Sequence, residues 1–234
     1  MDTVTYAPGT MPRALSQEIH NTRARQFVHR LRWDLCVDEC GGEIDQFDDA
    51  HAFYVVVREG GQHILSCRIR PASSGTMIET CFPDSFPFAK DFIPSHRCSL
   101  WEVTRFCKCS KISSVKSAMA LKAMSFELDG FRDFVGATGY IAVVYPHFPR
   151  FLKKLGARYL CLSDGLVNNE KVQLICVTHS VDFRGKMSRE PKSEIKSNFG
   201  VSLALLGKAR EARTSPYPGG TYPTGSVTGM PSAV

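Results

Sequence analysis

The chain has 234 residues, 43% of them hydrophobic, which suffices to bury the core of one domain. No apolar run approaches the ~18–20 residues that span a bilayer, and residues 1–12 lack the basic start and apolar centre of an export signal, so a cytoplasmic location with no membrane span is expected. The formal charge of +6 asks for an acidic partner, and nucleic acid, an anionic membrane surface and an acidic carrier protein all qualify.

In chain order, Ser16 is read as the cap of a helix running to about residue 33, with Leu15, Ile19, Phe27 and Leu31 at four-residue spacing. The acidic stretch GGEIDQFDD follows. Two strand-like runs, AFYVVVRE and HILSCRIR, are then joined at Gly60-Gly61 as a hairpin. Residues 71–96 hold four prolines and read as a long loop with short turns. A strand, SLWEVTRFCKC, precedes a helix over 114–134. Next come a strand over 140–145, a helix over 147–155 closed by Gly156, strands near 159–162 and 172–178, and a short helix around 193–206. From residue 212 the chain turns rich in Pro, Gly, Ser and Thr, so a domain over 1–211 and a disordered tail over 212–234 are expected. This order predicts a single α/β domain, a mixed and mostly antiparallel sheet flanked by helices. It matches the arrangement of GNAT-type acyltransferases.

Three positions break the apolar pattern. Arg23 falls on the apolar stripe of the first helix, where a guanidinium needs carboxylates, and Asp45 and Asp48 lie in the acidic stretch shortly after that helix. Spacing alone favours a structural salt-bridge network, or an arginine snorkelling at the core edge, over a substrate site. Arg68 and Arg70 share one face of the second hairpin strand. Glu102 and Arg105 fall on opposite faces of their strand by strict alternation, and a bulge at Val103 or Thr104 would bring them together. A carboxylate in so apolar a strand is paired or catalytic.

The nine cysteines are odd in number and scattered through apolar runs, so they read as reduced core residues. His96, Cys98, Cys107 and Cys109 do not have zinc spacing, and no glycine-rich phosphate loop is present, so neither metal nor cofactor is expected. The aromatics fall mostly at core positions, which argues against nucleic-acid binding.

Taken together, Arg23-x3-Phe27-x2-Arg30-x2-Trp33, Asp45-x2-Asp48, Arg68, Phe82 and Glu102-x2-Arg105-Phe106 resemble the acyl-homoserine-lactone synthase family of the LuxI type. The chain departs from that pattern at Arg32, where a glycine is common, and in its Pro/Gly-rich tail. The resemblance implies transfer of an acyl group from an acyl-carrier-protein or coenzyme A thioester to the amine of S-adenosylmethionine. Lactonisation with release of methylthioadenosine then follows. Glu102 is the candidate base, with Arg105 assisting at the oxyanion. Arg23, Phe27, Trp33, Asp45, Asp48, Arg68 and Phe82 would surround S-adenosylmethionine. Met77, Phe106, Ala142 and Val144 would line the acyl pocket. Arg150, Lys153 and Lys154 make one basic helical face, either solvated or docking an acidic carrier. The alternative is another GNAT-fold N-acyltransferase acting on a small amine or a protein.

Overall fold

The computed structural model describes residues 1–110 and 112–178; the helix expected around 193–206 and the tail over 212–234 lie outside them. A seven-stranded sheet occupies the middle layer: β1 (Asp2–Tyr6), β2 (Phe53–Glu59), β3 (Gln62–Pro71), β4 (Leu100–Lys108), β5 (Gly139–Val144), β6 (Tyr159–Val167) and β7 (Glu170–Val177). The spatial order is β1-β2-β3-β4-β5-β7-β6, and every pairing is antiparallel except β4 with β5. On one face lie α1 (Arg13–Arg23), α2 (Met77–Cys81) and α3 (Ala89–His96); on the other lie α4 (Ser114–Val135) and α5 (Phe148–Lys154).

Alternation along the strands sorts the core between the faces. Phe53, Val55, Val57, Cys67, Ile69 and Trp101 point toward α4, joined there by Met124 and Phe131. Ile141, Leu174 and Cys176 point the other way, onto Ile78, Phe86 and Ile93 of the α2–α3 region. Leu15 and Ile19 of α1 pack on Tyr54 and Val56 beside them. The Gly60-Gly61 turn has both residues at positive φ, +57° and +81°, as a tight hairpin requires.

Several expectations are corrected. Ser16 lies inside α1, which starts at Arg13 after Pro12 with no side-chain cap. The helix does not run as α to residue 33: it becomes a π-helix over Ala24–Arg30 and stops. Residues 71–96 are not one loop, because α2 and α3 form within them; a Thr76/Glu79 capping box starts α2, and α3 tolerates Pro94 within its few turns. β1 forms from terminal residues that gave no strand signal.

Candidate active site

Arg23, the last residue of α1, is wholly buried. Its Nε meets Glu43 Oε2 at 2.5 Å, and its two terminal nitrogens fork onto the two oxygens of Asp48 at 2.9 Å each. Asp45 stands further off, at 3.8 Å. Arg68 on β3 reaches Asp45 at 2.5 Å and Asp48 at 2.6 Å, while its Nε donates to Thr104 Oγ1. Arg105 on β4 closes the ring, contacting Glu43 and Asp45 at 2.8 Å each. Three guanidiniums thus meet three carboxylates out of water. Such a network holds only because each member is paired. Burial opposes ionisation of Asp48, but the Arg23 hydrogen bond and the charges of Arg23 and Arg68 outweigh it and hold the carboxyl well below the usual range. Asp45 is lowered in the same way through Arg68 and Arg105. Glu43 was missed from the sequence: a third arginine in need of an acid was visible, but GGEIDQFDD offers two further carboxylates, Glu43 and Asp49, and the second of them pairs with Arg70 instead.

The π-helix sets the aromatic wall. Arg32 adopts φ +57°, the left-handed region where glycine is at ease. That turn sends the Trp33 N–H back to the Phe27 carbonyl at 2.9 Å. It also lays the indole on the Phe27 ring, centroids 5.1 Å apart and nearly parallel. The Arg105 guanidinium lies over the same phenyl ring, 5.5 Å from its centroid. Phe82 is not part of this wall; it is half-buried against the α2–α3 core.

On β4 the expected bulge exists, one position later than read. Arg68 pairs with Thr104 and Ser66 with Cys107, so Arg105 and Phe106 together oppose Cys67, and Arg105 takes φ +51°. Arg105 therefore joins Glu102 and Thr104 on the cradle face, while Phe106 turns to the opposite one. Glu102 is 2% exposed, and its two oxygens accept the Met77 and Ile78 N–H groups at 2.8 and 3.0 Å. Burial outweighs these bonds and the nearby Arg68 and Arg70, raising the Glu102 pKa above that of an ordinary carboxyl.

Beside the bulge the sheet parts. β4 and β5 pair only through Leu100–Gly139, Trp101–Tyr140 and Glu102–Ile141, although both strands continue past that level. On the α4–α5 face the opening leads into a cavity of about 100 Å³, lined by Val103, Phe106, Leu121, Ala142, Phe148 and Phe151 among others. Of the residues assigned to the acyl pocket, Phe106 and Ala142 line this cavity. Met77 lies on the cradle side, its sulfur 3.7 Å from Arg105, and Val144 is at the end of β5 opposite Gln173. Arg150, Lys153 and Lys154 are all exposed on α5. Among the described residues no group of side chains has a metal-binding arrangement, and no helix is long and apolar enough to cross a membrane.

A sheet parted between its fourth and fifth strands, with a charged cradle on one face and an apolar cavity on the other, defines an acyltransferase of GNAT-like fold. The chain belongs to the autoinducer synthase family, whose profile matches residues 9–184. It is similar to an acyl-homoserine-lactone synthase of Rhizobium radiobacter, 29% identical over 145 residues that make up 60% of this chain and 66% of that protein. Its fold is similar to that of TofI, solved in a ternary complex with an inhibitor and MTA (TM-score 0.64, 22% identity, 76% of this chain and 91% of that one). It is also similar to that of BjaI, a CoA-dependent acyl-homoserine lactone synthase solved with SAM and isopentyl-CoA (TM-score 0.65, 16% identity, 80% and 89%).

Proposed function

We propose that this enzyme makes an acyl-homoserine lactone signal, with S-adenosylmethionine held in the Arg23–Glu43–Asp45–Asp48–Arg68–Arg105 cradle and the acyl chain in the cavity across the sheet. The observation that carries this reading is Glu102. It stands where the β4–β5 ladder ends, on the cradle face, at the level of the opening that leads to the cavity. With the six cradle charges balanced, the Glu102 carboxylate is the remaining negative charge beside them. S-adenosylmethionine, bearing a sulfonium, an ammonium and a carboxylate, carries one net positive charge and complements it.

A free α-amine titrates near pH ~7.7–8.0, so the ammonium must lose a proton before it can attack. Glu102 takes that proton, its raised pKa narrowing the gap between donor and acceptor. The amine nitrogen then bonds to the thioester carbonyl carbon, and the tetrahedral oxyanion collapses with departure of the thiolate, which takes up a proton. The Trp33–Phe27 stack provides a π-face for the sulfonium or the purine. The substrate's own carboxylate oxygen afterwards displaces methylthioadenosine and closes the lactone.

The acyl donor is a thioester on coenzyme A or on a carrier protein, and the exposed cations of α5 suit the acidic surface of the latter. Incubating the protein with S-adenosylmethionine and a panel of acyl thioesters, read by mass spectrometry, tests the assignment. Acyl-homoserine lactone and methylthioadenosine are expected in equal amounts. Acylation without methylthioadenosine would point to a different amine.

A further inference from the structure

Six of the exposed large hydrophobics lie apart from α4, but Val115 and Met119 sit together on it, 68% and 57% exposed. They are four residues apart, with exposed Ala118 between them on the same face. Monomeric surfaces tolerate single apolar residues; a stripe on one helix face asks for a cover. Between Arg105 and Glu127 the sequence has four lysines, Lys108, Lys111, Lys116 and Lys122, and no acid. α4 also has no acidic residue in its first turn, and Lys116 stands there instead. A cation at a helix N-terminus opposes the helix dipole, so this charge does not serve the helix. Lys116 is half-exposed and pairs with Glu59, and Lys108 is exposed beside Ser117.

The place of this stripe matters. α4 follows directly from β4, on the face that holds the cavity, and its first cavity-lining residue is Leu121. Val115 is therefore about 9 Å further toward the helix start, at the end where the strands part. α5, with Arg150, Lys153 and Lys154, flanks the same cavity through Phe148, Phe151 and Leu152.

Resting on the reading above, we propose that the first two turns of α4 are the docking surface for an acidic helical carrier domain that presents the acyl thioester on a phosphopantetheine arm. Val115 and Met119 are its apolar anchor, Lys108 and Lys116 its charged rim, and the α5 cations steer the approach. Apolar anchors at the centre of an interface control dissociation, whereas rim charges control encounter and respond to salt.

The test pairs a binding readout with turnover. Octanoyl-loaded bacterial acyl carrier protein is titrated onto the wild type and a Val115→Ser/Met119→Ser variant by interferometry, and turnover is measured with that donor and with octanoyl-pantetheine. The variant is expected to bind the carrier about tenfold more weakly at low and high salt alike. Its KM should rise for the carrier donor and stay unchanged for octanoyl-pantetheine. Unchanged carrier binding would overturn the proposal, as would equal losses with both donors. A change in the variant's mass by light scattering would do so too, since it would assign the stripe to a second copy of the chain. Binding is read without chemistry, so failure of the reaction assignment would leave this result standing by itself.

Discussion

On the proposed reading, Glu102 has to be both a hydrogen-bond acceptor and a base. Its lone pairs already meet two backbone N–H groups, and burial keeps its pKa above the ordinary value in spite of them. Replacing it with glutamine retains one acceptor oxygen, so the fold and S-adenosylmethionine binding are expected to survive. Turnover should fall by about 10²–10⁴-fold. The base works ionised, so kcat/KM of the wild type should fall as pH drops through this raised pKa, and that acid limb should be missing from the Gln variant. Near-normal turnover in Glu102→Gln would remove it from the role. Arg32 allows a second test. A non-glycine residue at φ +57° is strained by up to ~1 kcal/mol, and the side chain is exposed, so Arg32→Gly should raise the melting temperature slightly. The sequence had marked this arginine only as a departure from a family glycine; the left-handed turn supplies the physical reason. Arg23, Asp45, Asp48 and Arg68 were legible because charge on an apolar face needs partners. Glu43 was not, because nothing in an acidic stretch says which carboxylate turns inward.

Among the elements, α4 was readable end to end, since Ser113 caps it and Gly136 terminates it in the left-handed region. The residues from 71 to 96 were not, because helices as short as α2 and α3 give periodicity too few turns to register. β1 is five residues at the chain start, and its pairing with β2 is a long-range event that no local pattern announces. The cavity between α4, α5 and the sheet carries an expectation of its own. Ala142 lines it without a donor. The three hydroxyls in the lining already give their hydrogens to backbone carbonyls: Ser125 to Leu121, Tyr140 to Leu128 and Thr178 to Arg158. A 3-oxo oxygen buried there would lose water without replacement, at a cost of about 1–3 kcal/mol. Unsubstituted acyl thioesters should therefore be preferred by roughly ten- to hundredfold in competition, and Ala142→Thr should narrow that margin. A dominant 3-oxo product from the wild type would show the cavity to be misread.

At the scale of the whole molecule, the charge of +6 is uneven. The cradle is internally balanced, while α5 displays Arg150, Lys153 and Lys154 to solvent. Reversing these three charges should raise KM for a carrier-borne donor, and added salt should reproduce the effect in the wild type. A KM indifferent to both would place the steering charges elsewhere. The parting of β4 from β5 has a further kinetic meaning. The sheet acts as a partition with a slot in it, and on the proposed reading the two reactants occupy separate chambers, so neither has to leave before the other arrives. No acyl-enzyme stage is called for either. The buried thiols of Cys67, Cys107 and Cys176 are all pushed toward the protonated form by burial, that of Cys107 to about 11, and a protonated thiol is a poor nucleophile. Double-reciprocal plots with both substrates varied should therefore intersect, as for transfer within a ternary complex; parallel lines would mean that the acyl group pauses on the protein.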